Sequence, residues 1–270
     1  MNVDNLLEQI KTEKIPCYFI SPHLDDAVLS AGALMAELTL YTRVEVVTVV
    51  TKGSPRPYTL SAWAFLRQCG KKNVDALFRE RQEEDIRACA VAGITPLHLG
   101  YVDALWRKIT KPNLLRRILG RFLSEFLHVY PTHRIHIVKG EISPNDSPMR
   151  ENLTEKLTKI TEGQGNFLVF CPLALRTHVD HVLVRDVCLA HFSRVVLWTD
   201  FPYCLRSPAS KEEVSSMAVE AFHFVGGMEV KLRMIREYAS QVTAMFPDGN
   251  IPLVSEYYFL PKSTKNGHID

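Results

Sequence analysis

Five short runs of near-continuous apolar residues punctuate the chain. They are IPCYFIS (15–21), TRVEVVTVVT (42–51), PLHLGY (96–101), NFLVFCPLA (166–174) and RVVLWTD (194–200). Strands covered on both faces read this way, because neither side of the pleat has to meet water. Between these runs the apolar positions recur at helical spacing. DAVLSAGALMAELTLY sets Val28, Leu29, Leu34, Met35 and Leu38 on a common face. DALFRERQEEDIRACAVAGI is amphipathic and charge-rich, with Gly93 placed to cap its end. THVDHVLVRDVCLAHF brings Val182, Val184, Val187 and Leu189 toward a buried side.

Strand–helix–strand alternation over most of the chain predicts an α/β fold. The form expected is a Rossmann-like, doubly wound, mostly parallel sheet in a single domain over residues 1–260, with a flexible tail at 261–270. Residues 134–152, RIHIVKGEISPNDSPMREN, fit either a further strand followed by a loop or an insertion beside the site.

Composition narrows the class. A chain of 270 residues is long enough for a sizeable core. A net charge of +2 gives no strong pull toward nucleic acid or anionic membrane. The six cysteines form no CxxC pair, and four lie in apolar runs, so they read as reduced, buried side chains. The start, MNVDNLLEQIKTEK, is too polar for a secretory signal, and no apolar run approaches a membrane span. A cytoplasmic setting is the expectation.

The chemistry gathers at strand ends, where open α/β sheets hold their ligands. FISPHLDDAV leaves a strand through a proline and presents His23, Asp25 and Asp26 before a helix. LRTHVDHVLVRD repeats that grammar with His178, Asp180 and His181. Either cluster alone is equally compatible with carboxylates capping a helix N-terminus. Both together, at matching positions of a parallel sheet, supply two imidazoles and a carboxylate for a metal with an open position, and leave a carboxylate and a histidine for acid–base work. A dication would also offset the repulsion between Asp25 and Asp26.

These residues resemble the PIG-L/LmbE family of zinc-dependent de-N-acetylases. The family's opening motif, approximately (A/P)HPDD(E), is answered by SPHLDDA, and its later HPDH motif by THVDH. In order between and after them come RERQEEDIRACAVAGI, LHLGYVDALWR and a helix KLRMIREYASQVTAMF, so the resemblance covers nearly the whole chain. It implies His23, Asp26 and His181 as metal ligands and Asp25 as general base. It further implies His178 as oxyanion stabiliser or acid, oriented by Asp180, with Arg81 and Asp103 as substrate contacts. Zn²⁺ is the implied cofactor, and Fe²⁺, Mn²⁺ or Co²⁺ fit the same donors. The implied substrate is a small N-acetylated molecule, a sugar or glycoconjugate.

Two departures from the pattern stand out. Leu24 and Val179 replace prolines, and Ala27 stands where many relatives carry Glu. Rival readings keep the same scaffold. One is an amidase for a non-sugar amide or a longer acyl chain, with Trp63, Phe65, Trp106 and Tyr203 as an apolar wall. The other is a non-catalytic binding domain; a dinucleotide is not its ligand, since SPHLDDAVLSAGA lacks the leading glycines of a GxGxxG loop. His98, His133, His136 and His223 read as core or surface histidines, Gly226-Gly227 as a turn, and FPYCLRSPAS as a rim or lid.

Overall fold

The computed structural model describes residues 5–175, 178–206 and 211–261. The anticipated tail therefore falls almost wholly outside the described residues. The strands are β1 (Cys17–Ser21), β2 (Val44–Lys52), β3 (Leu97–Val102), β4 (Leu168–Pro172), β5 (Val195–Trp198), β6 (Ala218–Phe224) and β7 (Glu256–Pro261). They form one sheet in the order β3-β2-β1-β4-β5-β7-β6. The first five are parallel, and β6 and β7 extend the β5 edge as antiparallel strands. The mostly parallel single domain is thus present, with two more strands than the apolar runs announce.

The helices are α1 (Leu6–Glu13), α2 (Asp26–Leu38), α3 (Leu60–Gln68), α4 (Val74–Ala90), α5 (Leu114–Leu119) and α6 (Ser147–Thr161). They continue with α7 (Val179–His191), α8 (Tyr203–Arg206), α9 (Lys211–Met217), α10 (Met228–Arg236) and α11 (Ala239–Met245). Alternation along β1 builds two cores. Cys17 and Phe19 point to a layer containing α2, the end of α4 and α10. Tyr18 and Ile20 point to the opposite layer, made by α6 and α7. Every residue of β1 is buried, which is why its sequence carries no polar alternation.

Local signals explain most boundaries. The chain leaves α4 through Gly93, whose left-handed φ of 72° is open to glycine without strain. Residues 134–152 hold no strand. They make a π-type turn at His133–Ile137, a 3-10 turn at Pro144–Asp146 and the start of α6. KLRMIREYASQVTAMF, expected as one helix, is two: the backbone leaves helical geometry at Tyr238, whose hydroxyl donates to Asp85 Oδ1 at 2.6 Å. Far from these, Glu256 of β7 ties the sheet edge to the middle of α2, accepting from the Ala33 and Leu34 amides at 2.8 and 3.0 Å and pairing with Lys231 at 2.9 Å.

The topology places the site. β1 pairs with β2 on one side and β4 on the other, so the strand order reverses between β1 and β4. Loops leaving a sheet at such a reversal diverge and open a crevice beyond the strand C-termini. His23, Asp103, His178 and Asp200 follow β1, β3, β4 and β5 respectively.

Candidate active site

The β1–α2 loop is fixed from within. Ser21 Oγ donates to the His23 carbonyl at 2.7 Å and accepts from the Ala27 amide at 3.0 Å. Asp26 then opens α2, where a carboxylate suits the unpaired amides of the first turn. Its Oδ2 accepts from the His23 backbone amide at 2.9 Å and lies 3.1 Å from His23 Nδ1. From α7, His181 brings Nε2 to 3.2 Å of the same oxygen. The donor atoms of His23, Asp26 and His181 all lie within 4.8 Å of one another.

Each of the two rings also has a carboxylate behind it. His23 Nε2 lies 3.2 Å from Asp180 Oδ2, and His181 Nδ1 lies 2.7 Å from Asp200 Oδ1. Asp200 is itself steadied by the Ala174 amide at 2.8 Å. A neutral imidazole has one N–H, so it cannot donate to carboxylates at both nitrogens. This cluster therefore calls for positive charge beyond neutral rings: protons, or one cation facing Asp26 with the rear carboxylates orienting the ligands. Donors about 2.0–2.2 Å from a tetrahedral ion stand roughly 3.3 Å apart, close to the separations seen here. The residues present fit such an ion.

The charge balance follows from these contacts. Burial resists charging His23, but its hydrogen bonds to Asp180 and Asp26 hold it well above the usual imidazole range. Burial likewise resists at His181, yet Asp26 and Asp200 push it up to about 10. For Asp26, burial is outweighed by His181 and His23, which keep it well below the carboxylate range. Asp25 behaves oppositely. Burial, reinforced by the charge of Asp26, pushes it up to about 8 against the pull of Arg81 and His23. Two adjacent carboxylates thus have divergent acidities, the condition under which neighbouring acids take different chemical roles.

Asp180 is the most heavily engaged acid. Its Oδ2 accepts from the Ala104 amide at 3.0 Å, and its Oδ1 from Arg107 Nη2. Arg107 Nη1 also reaches Asp146 Oδ2 at 2.7 Å, where Tyr130 donates at 2.7 Å. Burial disfavours the Asp180 charge, but Arg107 and His23 hold it below the usual range. Its carboxylate lies nearer to His23 than to His178, whose Nδ1 is 3.7 Å away. That nitrogen accepts from the Asp180 backbone amide at 3.2 Å, which leaves Nε2 to carry the ring proton. Burial, with the charge of His23, depresses His178 well below the usual range.

Above this cluster is a cleft of about 220 Å³. His23, Asp25, Asp26, Arg81, Asp103 and His178 line it, while Asp180 and His181 lie beneath. Arg81 stands over the Phe65 ring at 5.4 Å. Asp103 caps the following 3-10 turn through the Leu105 amide at 2.8 Å and keeps its other oxygen 3.7 Å from His23. Phe65, Trp106 and Tyr203 form part of the wall; Trp63 packs on Tyr58 instead. Ala27 is buried in the α2 core.

Several participants escaped the sequence reading. Asp200 closes the RVVLWTD run, and the strand-end rule alone points to it. His133, read as core or surface, lines the cleft, with its ring 6.4 Å from that of His178. Ser240 and Gln241 also line it, and Gln241 Nε2 donates to the Leu24 carbonyl at 2.8 Å, inside the His23–Asp26 loop.

An open, mostly parallel sheet with two imidazoles and a carboxylate converging at its switch point defines a class, the α/β proteins whose polar site lies at the strand C-termini. Within that class the chain belongs to the PIG-L family, described as GlcNAc-PI de-N-acetylase, whose model matches residues 18–192. It is 26% identical over 168 residues to the 2'-N-acetylparomamine deacetylase of Streptomyces fradiae, covering 62% of this chain and 48% of that protein. The chain thus matches about half the length of this curated relative. Among solved structures it resembles teicoplanin deacetylase in its zinc-inhibited form, with a TM-score of 0.73, 22% identity, and coverage of 92% of this chain and 99% of that one. A deacetylase–teicoplanin complex gives a TM-score of 0.67, 24% identity and coverage of 91% and 97%. At these identities the two structures establish the shared fold.

Proposed function

We propose that the chain is a metal-dependent N-deacetylase that removes the acetyl group from an N-acetylated amino sugar or its conjugate. One observation carries this reading: two imidazoles share Asp26 Oδ2, each backed by its own carboxylate, with Asp25 beside them at the cleft. Family membership supports the reaction, and the paromamine relative supports an amino-sugar substrate.

His23, Asp26 and His181 would hold the ion, zinc by the nature of the donors, and it would supply Lewis acidity to the acetyl carbonyl and the attacking water. The remaining roles belong to the chain's own groups. Asp25 accepts a proton from the water as its oxygen attacks the acetyl carbon, a task suited to a carboxylate more basic than usual. His178, with its proton on Nε2, donates to the oxygen on which negative charge develops. As the C–N bond breaks, the proton held by Asp25 or His178 passes to the departing nitrogen. Acetate and a free amine result. Asp180 orients His23 and fixes the tautomer of His178, while Arg81 and Asp103, both lining the cleft, hold substrate polar groups.

The test pairs metal analysis of the purified chain with acetate release from N-acetylated aminoglycoside and hexosamine substrates. The expected result is about one zinc per chain, with activity lost on chelation and restored by the metal. A chain that takes up no divalent ion and releases no acetate from any of these substrates rejects the proposal.

A further inference from the structure

Between Trp106 and His133, both at the cleft, the chain makes an excursion over the surface. Its two ends are joined by backbone pairing, with Ile109 donating to Leu127 and Val129 to Arg107, each at 2.9 Å. Beyond this neck the apolar side chains turn outward. Leu114 is 71% exposed, Leu115 64%, Ile118 46%, Phe122 87%, Leu123 46% and Phe126 40%. These six of the eighteen large apolar side chains exposed among the described residues fall within thirteen positions, so they are concentrated in one segment and not scattered singly. No residue of α5 is buried.

The same stretch is strongly basic. From Lys111 to Phe126 the one acidic residue is Glu125, half-buried and accepting from the Leu60 amide, whereas Lys111, Arg116, Arg117 and Arg121 are all exposed. The chain's small net charge conceals this concentration. Exposed aliphatic and phenyl groups interleaved with arginines match a bilayer interface, where apolar groups enter the acyl boundary and cations meet anionic headgroups. Nucleic acid would leave Leu114, Leu115 and Ile118 without a partner, because aliphatic side chains do not stack on bases. A second copy docked through this face about a two-fold axis would set its arginines against their own counterparts.

We propose that the exposed apolar and basic face of residues 111–126 is a docking surface for an anionic lipid bilayer, seated beside the mouth of the cleft. Because both ends of the excursion are cleft residues, docking brings the site close to the headgroup layer. The binding does not depend on the reaction proposed above.

The test is co-sedimentation of the full chain with phosphatidylcholine vesicles, with and without about one-third phosphatidylserine. The wild-type protein should bind the phosphatidylserine vesicles at least tenfold more tightly, and less so as salt rises. Arg116→Glu with Arg117→Glu should remove that preference. Leu115→Ser with Phe122→Ser should weaken binding to the phosphatidylserine vesicles at least tenfold. All variants should keep the wild-type circular dichroism and acetate release from a soluble substrate, the positions being exposed and none of them lining the cleft. Equal binding to both vesicle types, or no loss of binding in both folded variants, overturns the proposal. So does a dimer that Phe122→Ser converts to monomer, which would assign the face to a second copy.

Discussion

His181 is held between two carboxylates, with Nδ1 2.7 Å from Asp200 and Nε2 3.2 Å from Asp26. Asp200 faces the rear of the ring and fixes which nitrogen is offered to the cluster. Replacing Asp200 with Asn keeps the shape and removes the charge. Zinc affinity is expected to fall roughly 10- to 100-fold, with the fold retained. Titration against a competing chelator measures this, and unchanged affinity would reduce Asp200 to a structural anchor for Ala174.

Asp25 and Asp26 adjoin in sequence, and the proposed mechanism gives them different work. Asp25→Asn should retain about one zinc per chain and lose roughly 10²- to 10⁴-fold in kcat. Asp26→Asn should lose the metal first. Metal content and turnover measured on the same preparations separate the two. Normal turnover in Asp25→Asn would remove it from the role of base.

Arg107 is the buried counterion of both Asp146 and Asp180. Arg107→Met leaves two buried carboxylates without their cation and should cost about 3–5 kcal/mol of stability. Adding Asp146→Asn to that variant should recover part of the loss, a non-additivity that a double-mutant cycle of urea unfolding would read directly. Additive losses would mean that the two side chains do not act as a pair.

His128 is 2% exposed and bonded through Nδ1 to the Ser124 carbonyl at 2.8 Å. Burial, the leading cause, lowers its pKa below the usual imidazole value. The folded state therefore binds this proton less readily than the unfolded chain, and the stability from the neutral ring is present above the unfolded value, about 6.5. It is lost as pH falls through that range toward the folded value. His128→Asn should flatten the decline in Tm between about pH 7 and pH 5. An identical slope in the two proteins would contradict this.

Most of the parallel half of the sheet was legible because strands covered on both faces need continuous apolar runs, as in β1, β2, β4 and β5; β3, a half-exposed edge strand, showed itself by its apolar positions alone. β6 and β7 were not: AVEAFHF is a half-exposed edge strand broken by Glu220 and His223, and the buried EYYFLP opens on a charged Glu256 and an exposed Tyr257. The chain's turn at Tyr238 was hidden for a different reason: it answers to Asp85, which lies 153 residues away in sequence. At the site, His23, Asp25, Asp26, His178, Asp180 and His181 announced themselves by clustering in short motifs. Arg107, Asp146 and Asp200 are single polar residues whose meaning exists only through their neighbours in space. Arg81 and Asp103 do reach the cleft.

The imidazoles and carboxylates of the centre come from the loops and helix starts that follow β1, β3, β4 and β5, so no contiguous fragment shorter than residues 23–200 contains them all. A nascent or clipped protein lacking β5 would have His23 and Asp26 but neither a seated His181 nor Asp200. Ion capture then becomes a report on completion of the sheet. Because the ion would bind the finished fold and not its parts, its free energy adds to the stability of the whole domain. On the proposed function the melting temperature should accordingly track the concentration of free metal, joining the survival of the protein to the supply of that ion.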